Sequence, residues 1–214
     1  MGVNPHDHIV FVVDDDRRIC EALTDLLSTF DLHVVTFRSA AEYLAYPKPD
    51  VPACLLLDVE LPDINGLDLQ RQAGPGGHGQ IVFMTAHGDI PTSVRAMKAG
   101  AVDFLTKPLL EADLIRAVQA ALALDLAARR KRAELAALQQ RLSRLTPRER
   151  EVLPLVVSGL LNKQSAAELG ISEVTLQIHR GKIMKKMEAG SLAELVRMAG
   201  ALAIPLTRPR PPEE

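Results

Sequence analysis

The sequence predicts a doubly wound α/β sheet of five parallel strands followed by a small all-α domain. Four short apolar runs, 10–13, 54–57, 81–84 and 102–105, end at Asp14-Asp15, Asp58, Thr85 and Thr106-Lys107-Pro108. Runs of about four apolar residues bounded in this way suit strands buried on both faces of a parallel sheet. Apolar residues recur at helical spacing between the runs, which is the alternation of an α/β fold. In the last third of the chain only the helical periodicity remains.

The first strand is followed by Ile19, Leu23, Leu26 and Leu27 at helical spacing, then by a fifth apolar stretch at 33–36 and a helix through Ala40, Ala41 and Leu44. The strand ending at Asp58 leads to a helix over 66–72. The strand ending at Thr85 leads to one over 91–99, and the strand before Lys107 to one opening near Glu111. The glycine-rich segment 74–79 has no following Lys-Ser/Thr and precedes a strand, so it reads as a flexible connection and not a phosphate-cradling loop.

From Leu114 a seven-residue repeat runs through Ala117, Ala121, Leu124, Ala128, Leu135, Leu138, Leu142 and Leu145, interrupted by Lys131. Two readings fit equally: a long helix with a broken coiled-coil seam, or a single amphipathic linker helix lying on its own domain. At Thr146-Pro147-Arg148-Glu149 an N-cap, a first-turn proline and a third-position glutamate announce a new domain. Its helices are expected over 147–158, 163–169, 172–188 and 191–202, and a disordered tail over 204–214, where four prolines fall.

Charge divides along the same line. Residues 1–125 carry 9 Lys and Arg against 18 Asp and Glu, whereas 126–214 carry 16 against 9, within an overall net charge of −2. The basic half points to a nucleic-acid partner. Cys20 and Cys54 lie in apolar contexts without a CxxC pair and read as buried free thiols. The N-terminus has neither an apolar signal core nor an Arg-rich amphipathic pattern, and no later run approaches membrane-spanning length. A soluble cytoplasmic protein with no membrane partner is expected.

Ligand sites of parallel sheets lie at the carboxyl ends of the strands, so the residues ending the four runs converge on one rim. A carboxylate that attacks a phosphoryl group needs a divalent cation, and Mg²⁺ favours one or two carboxylates with water and phosphate oxygens. Asp14, Asp15 and Asp58 supply carboxylates; Lys107 and Thr85 supply a fixed cation and a hydroxyl for the phosphoryl oxygens. Taken singly, the aspartates suit turns or a helix N-cap. Their joint placement at strand ends favours phosphoryl chemistry.

These residues, with Pro62, Gly66 and the Thr106-Lys107-Pro108 run, resemble the receiver domain of two-component response regulators, with its flavodoxin-like fold, over 8–125. The resemblance implies Asp58 as phosphoacceptor, Asp15 as a direct Mg²⁺ ligand, Asp14 as a ligand through water and Glu60 through its backbone carbonyl. It also implies that Thr85 and Lys107 read the phosphoryl group, that Phe104 turns inward on activation, and that the region 91–118 repacks. Glu60 and His87, two residues after Asp58 and Thr85, are expected to flank the phosphoryl group and set its lifetime.

The runs LTPRER, GLLNKQSAAELGIS, EVTLQIHRGKIMKKM and SLAELVRMA resemble the LuxR-type helix-turn-helix, here over 145–203 after a helical linker over 126–144. Together with the receiver they resemble regulators of the FixJ/NarL type. Leu169-Gly170-Ile171-Ser172 independently reads as a helix end, a glycine turn and an N-cap. The helix after Ser172 is then the recognition helix, with Leu176, Ile183 and Met187 on its apolar stripe. Val174, Thr175, Gln177, Ile178 and Gly181 face outward, and Lys163, Arg180, Lys182, Lys185 and Lys186 are placed to meet phosphates. The resemblance puts His179 toward the DNA backbone.

Gln177 departs from the lysine usual in the family and changes the expected base preference. Pro154 inside a helix predicts a kink, and Ser165, in place of an aliphatic residue, needs a partner for a buried hydroxyl. The resemblance thus implies a transcriptional regulator that binds promoter DNA, is switched by a cognate sensor histidine kinase, forms a homodimer on phosphorylation and engages RNA polymerase. It would catalyse its own phosphorylation and not act as an enzyme on an external metabolite. The alternative is a phosphate-sink or protein-interaction receiver with impaired DNA binding.

Overall fold

The computed structural model describes residues 8–73, 79–86 and 88–206. His87, most of the glycine-rich connection and the tail from 207 lie outside the described residues. The chain divides into two compact units, 1–130 and 131–214.

The first unit is a parallel sheet in the order β2-β1-β3-β4-β5, formed by β1 (Ile9–Val13), β2 (Val34–Phe37), β3 (Ala53–Asp58), β4 (Gln80–Thr85) and β5 (Asp103–Thr106). Every residue of β1 and β3 is buried, as continuous apolar runs require of central strands, while the edge strands β2 and β5 are mixed. Strand alternation sends Phe11, Val13, Leu55, Leu57 and Phe83 to one face and Val10, Val12, Leu56, Val82 and Met84 to the other.

Helices α1 (Arg17–Ser28), α2 (Ala40–Ala45), α3 (Gly66–Ala73) and α4 (Ile90–Lys98) connect the strands, and α5 (Glu111–Ser143) follows the last. On the first face Phe11, Phe37, Tyr43 and Tyr46 form a cluster with ring centroids 5.3–6.1 Å apart. Lys48 Nζ caps it, 4.0 Å from the Tyr43 centroid, and burial lowers the pKa of this amine.

Helix α5 is continuous through the predicted linker. Leu114, Ala117 and Ala121 are buried in the first unit, whereas Leu138, Leu142 and Leu145 pack into the core of the second. Much of the seven-residue repeat is therefore used for packing within each unit. Leu124 and Leu135 remain exposed.

The second unit adds α6 (Pro147–Val157), α7 (Asn162–Glu168), α8 (Glu173–Met187) and α9 (Leu192–Ala201). The predicted capping box is present: the Glu149 N–H donates to Thr146 Oγ1 at 3.3 Å and the Thr146 N–H to Glu149 Oε2 at 2.8 Å. Helix α6 contains Pro154 within its span, and Ser165 is buried as its position implies. Gly170 adopts φ +63° between α7 and α8, and the Ile171 N–H donates to the Ala166 carbonyl at 3.0 Å. This left-handed turn ends α7 where the glycine predicts it.

Candidate functional site

Two places carry chemistry. The first lies at the carboxyl ends of β1, β3, β4 and β5, beside the β1/β3 crossover where the strand order reverses. Asp14 is fully buried, Asp58 is 6% exposed and Thr85 1%, whereas Asp15 is exposed. Oxygens of Asp14, Asp15 and Asp58 all lie within 4.8 Å of one another. Lys107 reaches across from the end of β5 to place Nζ 2.7 Å from Asp14 Oδ2 and 2.5 Å from Asp58 Oδ2.

Backbone donors fix the opposite carboxylate oxygens. The Asp16 N–H donates to Asp14 Oδ1 and the Glu60 N–H to Asp58 Oδ1, both at 3.0 Å. Strand ends are tied together by the Lys107 N–H to the Thr85 carbonyl and the Val59 N–H to the Met84 carbonyl. Burial raises the Asp14 pKa above the usual carboxylate value, despite the opposing Lys107 hydrogen bond. Burial would lower the Lys107 pKa, but its bonds to both carboxylates prevail and raise it.

Helix α3 approaches this pocket so closely that a Cβ on Gly66 would stand 2.4 Å from the Asp58 carbonyl oxygen. Only glycine fits there. Phe104 is partly buried, its ring centroid 6.2 Å from that of Phe83. Glu60 is exposed beside the pocket. Three carboxylates of graded exposure with one shared ammonium fit a hard, oxygen-preferring cation such as Mg²⁺.

Sequence reasoning missed three supports of this frame. Asp63 accepts from the Ala40 and Ala41 N–H groups at 3.3 and 2.9 Å, tying the loop after β3 to the start of α2. Gln70 donates from α3 to the Ala96 and Ala99 carbonyls. Asp125, fully buried, accepts from the Ala53 N–H at 2.9 Å and from Arg129 Nε at 2.6 Å, anchoring α5 at the start of β3. In sequence, Asp125 and Arg129 show only the i, i+4 spacing of an ordinary surface pair.

The second place is α8. Leu176, Ile183 and Met187 are fully buried, as predicted, and Val174, Gln177, Ile178, Gly181, Lys182 and Lys185 are exposed. Lys163 is exposed on α7. Thr175 Oγ1 lies 2.8 Å from Ser172 Oγ, at the N-cap. His179 is partly buried, and its Nδ1 is sealed without a hydrogen-bond partner among the described residues.

Two expected phosphate contacts have other partners. Arg180 Nη1 donates to Asn162 Oδ1 at 2.8 Å, bracing α8 against α7. Lys186 Nζ lies 2.6 Å from Oε2 of Glu149, a carboxylate only 2% exposed. Its ammonium serves the fold because the capping-box glutamate is buried and needs a counter-charge.

Cys20 and Cys54 are buried free thiols, and the Cys20 thiol donates to the Asp14 carbonyl at 3.3 Å. No helix among the described residues is long and apolar enough to cross a membrane.

Comparison with known proteins agrees with both places. Residues 10–119 match the response regulator receiver domain family, and residues 143–199 the luxR family of bacterial regulatory proteins. Nodulation protein W of Bradyrhizobium diazoefficiens is 50% identical over 92% of this chain and 87% of its own length. Transcriptional regulatory protein FixJ of Azorhizobium caulinodans is 42% identical over 91% and 93%, respectively. The solved structure of response regulator StyR superposes with a TM-score of 0.80 at 46% identity, covering 91% of this chain and 98% of that one. The chain belongs to the two-component response regulators that join a receiver domain to a LuxR-type DNA-binding domain.

Proposed function

We propose that Asp58 accepts a phosphoryl group from a partner histidine kinase and that this controls binding of promoter DNA through α8. The observation that carries the proposal is the single ammonium of Lys107 shared by Asp14 and Asp58 at the strand ends. An Asp58 oxygen attacks phosphorus while the bond from phosphorus to the donor's imidazole nitrogen breaks. Lys107 then transfers a hydrogen bond to a phosphoryl oxygen, and the Thr85 hydroxyl binds another. The protein is the substrate of this step; no external metabolite is turned over.

Asp15, Asp58 and the Glu60 carbonyl would hold Mg²⁺ directly and Asp14 through water. When bound, the ion offsets negative charge on the phosphoryl oxygens. Glu60 and His87 set how long the phosphate survives by orienting or admitting the hydrolytic water. Phe104 turns inward as Thr85 engages the phosphate, coupling the pocket to α4 and β5.

Homodimerisation through that region is supported by its uncovered apolar side chains: Ile90 is 78% and Leu110 67% exposed, with Val94 and Met97 also exposed. On DNA, Lys163, Lys182 and Lys185 meet phosphates, and Thr175, His179 and Arg180 border the same surface. RNA polymerase is the downstream partner, in the cytoplasm. The domain limits that accompany this reading are 8–125 for the receiver, 126–144 for the linker and 145–203 for the DNA-binding domain.

The test is duplex-DNA affinity of wild type and Asp58→Ala, with and without a phosphoryl donor and Mg²⁺, at two salt concentrations. Tightening in the wild type alone is expected, with affinity falling as salt rises. Equal binding in all states would remove the phospho-switch. Binding to no duplex would favour a protein-interaction role.

A further inference from the structure

The outward face of α8 carries residues that the protein's own packing does not require. Val174, Gln177, Ile178 and Gly181 stand at i, i+3, i+4 and i+7 and share one face. It lies opposite the buried Leu176, Ile183 and Met187. Val174 is 66% exposed and Ile178 53%. Two branched apolar side chains thus meet water on a helix whose other exposed side chains are polar or charged.

Gly181 adds a second anomaly. Glycine weakens a helix interior, yet a Cβ here would meet nothing within 4 Å. No neighbour among the described residues excludes a side chain. A surface that combines bare backbone with exposed methyl groups suits close approach from outside.

The chemistry along this face also discriminates. Recognition helices present their N-terminal residues to base edges. No Arg or Lys, the side chains that pair with guanine O6 and N7, occurs in 173–179. Gln177 instead offers a donor and an acceptor side by side, matching the N7 acceptor and N6 donor of adenine. Thymine carries the apolar C5-methyl group in the major groove, the complement of Val174 and Ile178.

We infer that this face of α8 reads A·T base pairs: Gln177 pairs with adenine, Val174 and Ile178 pack on thymine methyl groups, and Gly181 lets the helix come close to the bases. The inference rests on the DNA-binding reading above and names the bases that reading would select. Phosphate contacts from Lys182 and Lys185 contribute affinity without sequence preference.

The test begins with selection of duplexes from a randomised pool by the full-length protein with a phosphoryl donor and Mg²⁺. A·T pairs are expected where α8 contacts the selected site. Replacing the contacted thymines by uracil removes only the methyl groups and should weaken wild-type binding by about 4-fold per methyl. A Val174→Ala/Ile178→Ala variant should be indifferent to that change. Replacing the contacted adenine by 7-deazaadenine should weaken wild type by at least about 5-fold and leave Gln177→Ala unaffected.

Gly181→Ala should raise the melting temperature and weaken DNA binding together, a combination that a misfolded variant cannot produce. Selection of G·C pairs at the contacted positions, or indifference of wild type to both modified bases, would overturn the inference while leaving DNA binding intact. Recovery of no duplex would overturn the DNA-binding reading and this inference with it.

Discussion

Lys107 Nζ lies 2.5 Å from Asp58 Oδ2, joining the end of β5 to the end of β3 across the intervening strand. The same ammonium also serves the fully buried Asp14. Lys107→Met therefore leaves two carboxylates facing each other without a counter-charge. The expected loss is about 3 kcal/mol of receiver stability at neutral pH, the scale for breaking a buried ion pair from one side. Asp58→Asn leaves Lys107 paired with Asp14 and removes one of the two negative charges, so it should cost less than Lys107→Met. Urea unfolding followed by circular dichroism distinguishes them; equal stability of the two variants would contradict this account.

Gly66 makes a second demand on the same pocket. A Cβ 2.4 Å from the Asp58 carbonyl oxygen cannot be relieved by a side-chain rotation, because the obstructing atom is backbone. Gly66→Ala is expected to lower stability by about 2 kcal/mol, within the range for overpacking. It should also slow phosphorylation of Asp58 by a small-molecule donor, because α3 or the end of β3 must move. Gly100→Ala is a control for a glycine with no neighbour within 4 Å among the described residues, although its φ of +94° adds backbone strain of its own. That control should lose stability and phosphorylate normally.

The strands were legible because β1, β3 and β4 are short apolar runs cut off by polar or turn residues, and the edge strands β2 and β5 each keep apolar residues. The pocket was legible because parallel strands bring those endings to one rim. The capping box at Thr146 and Glu149 and the turn at Gly170 were likewise written in local residue types. What sequence could not disclose was burial of charge. Asp125 and Arg129 look like a surface pair, and Lys186 like one of several solvated lysines, until tertiary packing supplies the Ala53 N–H and the buried Glu149 as partners. The seven-residue repeat in α5 is a related case: Leu114, Ala117 and Ala121 serve one core, and Leu138 and Leu142 another.

Glu149 gives this second unit a defined acid response. Burial pushes its carboxyl up, but the Lys186 hydrogen bond and the Thr146 N–H outweigh that effect and hold it below the ordinary value of 4.5. A carboxyl depressed in the folded state contributes stability that is fully present above its unfolded value and lost as pH falls through the lower folded value. Glu149→Gln should therefore cost about 2 kcal/mol at pH 7, the scale of a hydrogen bond to a charged group. The difference from wild type should shrink as pH drops below 4.5. Chemical denaturation at stepped pH checks this, and a gap that widens on acidification would reverse the assigned sign.

Glu60 borders Asp58 through its own N–H, and its side chain is exposed. Replacing Glu60 or His87 by Ala is expected to change the half-life of phosphorylated Asp58 by several-fold, since a positioned acid–base group contributes on the order of 10²-fold or more when fully engaged. Timed loss of phosphate from the purified phosphoprotein measures it. Unchanged lifetimes in both variants would remove these residues from control of hydrolysis.

The lysines of the second unit should separate into two kinds. Each phosphate contact contributes about 0.9 to the slope of log affinity against log salt. Lys163→Ala, Lys182→Ala and Lys185→Ala, all at exposed positions, should each lower that slope by about this amount and leave folding unchanged. Lys186 is committed to Glu149 at 2.6 Å, so Lys186→Ala should reduce stability and leave the slope of the folded fraction unaltered. Salt titrations of DNA binding paired with unfolding curves test the division. A reduced slope for Lys186→Ala at unchanged stability would place its ammonium on the phosphates and not on Glu149.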